Sequence, residues 1–162
     1  MADKNLVGRC GIYCGACFAY RGTISQKATE LRETLNKEKF GRRIATAFDW
    51  IGDYSEFSKV LSHLKNLKCQ GCGAGGGNPW CSIRKCCQKK GFASCAECSE
   101  FPCEKLDWMT KRYSNWNLRN LERVREVGVE NWLEEQEEKV KAGFMTGEVI
   151  KGIRPPGKGD SK

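Results

Sequence analysis

The sequence predicts a mainly α protein: a small helical domain carrying an irregular Cys-rich metal-binding region of knuckle-like loops, with little or no sheet. Three observations lead there. Apolar residues recur at helical spacing in several stretches. Residues 69–103 lose that period and hold eight cysteines and six glycines. No stretch alternates apolar and polar residues over the length of a strand.

The elements follow in order. Residues 8–21, RCGIYCGACFAYRG from Arg9 onward, form a Gly- and Cys-rich opening. Residues 23–51 read as helical, with Thr23 or Ser25 as cap and Ile24, Ala28, Leu31 and Leu35 at helical spacing. After Gly41, residues Ile44, Ala47, Phe48 and Ile51 predict a short second helix that Gly52-Asp53 ends. Ser55 to Leu67 is the clearest amphipathic helix, with Phe57, Val60, Leu61, Leu64 and Leu67 on one face. The run from Gly73 to Pro79 is a loop, and Ile83 to Lys90 a short basic helix. Asn117–Val127 carries Leu118, Leu121 and Val124. Gly128 separates it from a helix over Glu130–Ala142 bearing Trp132, Leu133, Gln136 and Val140. With 162 residues, one domain over 1–150, with Cys-rich loops at 8–21 and 69–103, is expected, followed by a flexible basic tail at 151–162.

A chain of this length can bury a core without a metal, so the cysteines must carry the metal argument. There are 11 of them, an odd number, which no fully intramolecular disulfide scheme can pair. The N-terminal MADKNLVGRCGIYCG has no signal-peptide pattern, and no stretch has the length of a membrane span. The expectation is a cytoplasmic, membrane-free protein whose thiols bind metal.

The first cluster is Cys10-x3-Cys14-x2-Cys17, whose thiols can converge if the backbone turns at Gly11 and Gly15. The second holds Cys69, Cys72, Cys81, Cys86, Cys87, Cys95, Cys98 and Cys103. Cys69/Cys72 and Cys95/Cys98 are C-x2-C knuckles, each able to put two sulfurs on one tetrahedral ion. Spacing leaves two partitions open. One joins both knuckles, so that Cys10, Cys14 and Cys17 recruit a fourth ligand from Cys81, Cys86 or Cys103. The other joins Cys69, Cys72, Cys81 and Cys86, and gives Cys95, Cys98 and Cys103 to the N-terminal group. Loop-closure entropy grows too slowly with length to choose. Cys87, beside Cys86, is the spare thiol, either a small core side chain or a reactive one near Arg84, Lys85, Lys89 and Lys90.

The opening CGIYCGAC, the central CQGC, the stretch CSIRKCCQKKGFASCAECSEFPCEKL and the helical GVENWLEEQEEKVKAG resemble the Cys-rich prokaryotic family catalogued as domain of unknown function 3795. The resemblance runs from about Cys10 to Gly143. It implies zinc binding, with Cys10, Cys14, Cys17, Cys69, Cys72, Cys81, Cys86, Cys95, Cys98 and Cys103 at motif positions; Cys87 is outside the motif. It implies no particular activity.

The net charge of +8 treats cysteine as neutral. Two four-thiolate Zn²⁺ sites, or two [4Fe–4S]²⁺ clusters, would lower it to about +4, so the basic balance argues only modestly for nucleic acid. A basic stretch does exist at Arg84, Lys85, Lys89 and Lys90, with Trp80 near it and Tyr113 and Trp116 after the last cysteine. It is compatible with single-stranded nucleic acid or a protein partner. His63 is the only histidine and falls on the polar side of its helix. With no catalytic triad, Walker loop or dinucleotide fingerprint, the sequence favours a non-enzymatic structural or recognition module binding about two zinc ions. The alternative is an iron–sulfur protein with [4Fe–4S] clusters in electron transfer or cluster-dependent redox chemistry.

Overall fold

The computed structural model describes residues 3–150, so the expected tail at 151–162 lies outside the described residues. Six α-helices follow in chain order: α1 (Phe18–Arg21), α2 (Thr23–Lys37), α3 (Tyr54–Lys65), α4 (Ser82–Lys90), α5 (Asp107–Arg112) and α6 (Trp116–Lys141). Short 3-10 turns and one π turn join them. The only β pairing among the described residues is an isolated bridge between Val7 and Tyr13, so the mainly α expectation holds. Backbone contacts gather the chain into two compact units, Phe18–Cys69 and the pair of segments Met1–Cys17 and Gln70–Lys162.

The Phe18–Cys69 unit is a helical hairpin of α2 against α3. The Asp53 carboxylate accepts from the Glu56 amide at 3.0 Å and starts α3. Neither Thr23 nor Ser25 caps α2. Gly22 holds the cap position in the left-handed region, Thr23 is already helical, and Ser25 is buried. The short helix expected after Gly41 is a π turn over Gly41–Ala45 and a 3-10 turn over Asp49–Ile51. Gly41 is tightly packed: a Cβ there would lie 2.5 Å from the Tyr54 ring. The stripe on α3 is less buried than its pattern suggests. Leu61 is buried, whereas Phe57 and Val60 are 43% and 54% exposed. A two-helix hairpin has too little mass to cover both sides of an apolar stripe.

The other unit holds the main core, in which Leu121, Trp132 and Leu133 are fully buried. Its backbone is α6, which packs against the turns at Lys4–Leu6, Cys14–Ala16 and Cys95–Glu97. The expected break is present: Gly128 lies at φ 82°, ψ 163°, so α6 is two helices joined across a kink. Arg123 before the break donates to both carboxylate oxygens of Glu135 after it, at 2.6–3.2 Å. The Trp132 ring meets the Tyr13 ring edge-on at 5.9 Å and ties α6 to the Cys10–Cys14 turn.

Candidate metal centre

The N-terminal cysteine turn is shaped by its glycines and by α6. The Gly8 amide donates to the Ile12 carbonyl at 2.7 Å, and the Gly11 amide to that of Gly8 at 2.8 Å. Gly11 has φ +90°, and a Cβ there would lie 2.1 Å from the Asn117 carbonyl oxygen. Only glycine lets the turn approach the α6 backbone this closely. The buried Asn120 amide completes the seat by donating to the Gly11 carbonyl at 2.8 Å.

This turn presents Cys10 and Cys14 to two cysteines from the later segment. Burial pushes the Cys10 thiol well above its ordinary range; a backbone hydrogen bond at Ile12 opposes this, and the nearby sulfurs of Cys72, Cys81 and Cys14 add to it. The Cys72 amide donates to the Cys14 sulfur at 3.4 Å. The sulfurs of Cys14, Cys72 and Cys81 thus lie within electrostatic reach of Cys10, from two distant stretches of the chain. Cys17 and Cys10 both lie near enough to Tyr113 to raise its pKa, after the larger effect of burial. Cys69 belongs to the helical-hairpin unit.

A second group lines a cavity of about 20 Å³, room for one water-sized molecule, walled by Cys86, Cys87, Cys95, Cys98 and Cys103. Cys86 and Cys87 come from α4, and Cys95 and Cys98 from the knuckle turn. Cationic side chains reach two of these sulfurs: Lys90 Nζ to Cys98 at 3.8 Å and Lys105 Nζ to Cys86 at 3.6 Å. The Cys87 and Cys95 sulfurs are 3.6 Å apart. Their contact pulls the two acidities apart. The Cys87 thiol is lowered chiefly by the hydrogen bond from Cys95, and the Cys95 thiol is raised by the same bond and by burial. Cys10 also lies within electrostatic reach of Cys95, so the two groups are neighbours. No disulfide joins cysteines among the described residues.

The Cys72, Cys81 and Cys14 sulfurs all act on Cys10. Cys86 sits with Cys95, Cys98 and Cys103. Among the described residues, no three or more Cys, His, Asp or Glu side chains stand close enough together to hold an ion as they are.

Two arginines that pattern alone does not mark hold the cysteine loops. Arg125 on α6 donates to the Ala96 carbonyl at 2.7 Å and the Cys98 carbonyl at 2.5 Å. Its guanidinium also lies 4.4 Å from the centre of the Phe101 ring. Arg9 donates to the Phe92 carbonyl and, at 3.2 Å, to that of Ala93. The Cys95 amide returns a bond to the Arg9 carbonyl at 2.9 Å.

Arg84 corrects an expectation. It is 7% exposed and gives its guanidinium hydrogens to the carbonyls of Gly75, Gly76 and Asn78. It closes the Gly-rich loop from inside, so it is no part of a basic surface. Lys85, Lys89 and Lys90 are exposed, although Lys90 also pairs with Glu100 at 3.1 Å. Trp80 is 79% exposed just before α4, whereas Trp116 is buried against Phe144. His63 is exposed on α3, as its position on the helix predicts.

Residues 6–108 match a family model described as protein of unknown function (DUF3795). The chain belongs to DUF3795. All eleven cysteines of this DUF3795 protein fall inside the matched segment. Helix α6, with Arg125, lies beyond it. No curated protein and no solved structure matches the chain. Among the described residues, no helix is long and apolar enough to cross a membrane.

Proposed function

We propose that this DUF3795 protein is a metal-stabilised recognition module holding two zinc ions in thiolate sites. Cys10, Cys14, Cys72 and Cys81 would hold one, and Cys86, Cys95, Cys98 and Cys103 the other. The observation that supports the reading is that sulfurs from sequence-distant segments lie within electrostatic reach of Cys10 and around one small cavity. Four thiolates are the donor set of a closed structural zinc site.

The donors aimed at sulfur support the same reading. The Cys72 amide on Cys14, Lys90 on Cys98 and Lys105 on Cys86 would all favour the thiolate over the thiol. The groups do not form a closed coordination shell as they stand. Metal entry would draw the sulfurs in, which couples binding to tightening of the loops. Zinc so held would supply fixed loop geometry and no redox chemistry. The recognition surface would be the exposed start and outer side of α4, with Trp80, Lys85 and Lys89.

Chelation tests the structural role. Removing metal from the full chain should lower the thermal midpoint and slacken the environment of the buried Trp116 and Trp132. An unchanged midpoint and unchanged tryptophan emission in verified metal-free protein would refute it. The second reading, [4Fe–4S] ligation, draws on the Cys10-x3-Cys14-x2-Cys17 spacing and on the hydrogen bonds to sulfur, which would also tune a cluster potential.

A further inference from the structure

We infer that Cys87 and Cys95 are a peroxide-oxidisable dithiol whose disulfide withdraws Cys95 from the second thiol group. The part that concerns metal release rests on the zinc reading above; the dithiol itself does not. Cys87 is the one cysteine outside the recognised motif pattern, yet it is not an isolated core thiol. Its sulfur lies 3.6 Å from that of Cys95. A disulfide needs about 2.05 Å, so a closure of about 1.5 Å suffices.

Both sulfurs are buried, yet their position favours that closure. Both sulfurs border the cavity of about 20 Å³, whose wall also includes the exposed Lys90, Glu100 and Lys105. A small hydroperoxide suits such a space better than a bulky disulfide oxidant. Cys87 lies near the end of α4, where Gly91 stops the helix at φ 72°. Cys95 opens a single 3-10 turn. Neither side chain is locked in the middle of a long element. Arg125 meanwhile grips the Ala96 and Cys98 carbonyls, so the knuckle backbone stays seated when one sulfur turns away.

The chemistry balances with hydrogen peroxide as the two-electron oxidant. The Cys87 thiolate attacks one peroxide oxygen; the O–O bond breaks, and the departing hydroxide takes a proton to become water. The Cys95 thiolate then attacks the Cys87 sulfenic sulfur. The S–S bond forms, the S–O bond breaks, and a second water leaves. If Cys95 was bound to zinc, its Zn–S bond is lost in that second step, and the site drops to three protein ligands.

The test uses the full chain, purified without oxygen and treated with one equivalent of hydrogen peroxide. Trypsin cleaves after Lys85, Lys89 and Lys90, so the Cys86/Cys87 peptide separates from the one carrying Cys95. Expected are loss of two thiols, a cross-link between those peptides mapped by fragmentation to Cys87–Cys95, and recovery with a dithiol reductant. Zinc-loaded protein should release one of its two ions, and Cys87→Ala should retain it at the same dose. Equal release from both proteins, or a link at other sulfurs, would overturn the proposal. Metal-free reduced protein tests the pair alone: failure to form the link there overturns the dithiol whatever the metal content. A link in a protein that natively holds no metal would support the dithiol and refute the zinc module instead.

Discussion

Replacing Gly11 with alanine tests how the N-terminal cysteines are positioned. Two costs add. At φ +90° an L-residue is strained, by about 1–2 kcal/mol. The new Cβ would also lie 2.1 Å from the Asn117 carbonyl oxygen and 2.7 Å from Leu121 Cγ, both on α6. Overpacking of this kind costs about 1–3 kcal/mol as the neighbours shift. The total, about 2–5 kcal/mol, is a large fraction of a typical domain's stability. Gly91→Ala is the matched control, with φ +72° and nothing within 4 Å of its added Cβ, so only the backbone cost of about 1–2 kcal/mol applies. Urea unfolding followed by tryptophan emission reads both, because Trp116 and Trp132 are buried on α6. Equal destabilisation by the two substitutions would refute the claim that the cysteine turn is seated directly on the α6 backbone.

Other outcomes follow from the same geometry. Arg125→Ala removes two hydrogen bonds to the Cys95–Cys98 turn and the stacking on Phe101. It should cost about 1–2 kcal/mol in urea unfolding, discounted for its exposure, and weaken zinc retention about 10-fold or more in a chelator competition. Arg84→Ala should destabilise the protein through the Gly-rich loop, whereas Lys85→Ala and Lys89→Ala should leave stability alone. If the α4 surface binds single-stranded nucleic acid, each of those two lysine changes should lower the salt slope of binding by about 1; identical slopes would remove that surface from the account. Arg123 holds the Glu135 carboxyl below its ordinary 4.5. The stability it adds is present above that value and vanishes as pH falls through the lowered one. Glu135→Gln should therefore cost at most about 0.5 kcal/mol at neutral pH, less in high salt, and nothing in acid. A difference that persists in acid would contradict the ion-pair account.

The parts of the fold legible from sequence are those governed by local rules. Helical periodicity marks α2, α3, α4 and α6, and Gly128 marks the break, because each depends on neighbours within a few turns. The limits lie where tertiary contact decides. Gly22 supplies the left-handed entry to α2, although Thr23 and Ser25 have better capping side chains. Arg84 sits in a basic run, and only the folded loop reveals that its charge is spent on three carbonyls. Arg125 has a weak signal, one position past the buried Val124 on the apolar side of α6. The cysteines are recognisable as a set from the sequence alone.

The central claim, two four-thiolate zinc sites, is tested most directly by elemental analysis of the full chain purified without oxygen, with acid-labile sulfide measured on the same sample. The account predicts about two zinc ions per chain, no sulfide and no visible absorbance. Stoichiometric iron and sulfide with a broad band near ~400 nm would contradict it in favour of clusters. Protein that is folded, reduced and free of any metal would contradict both.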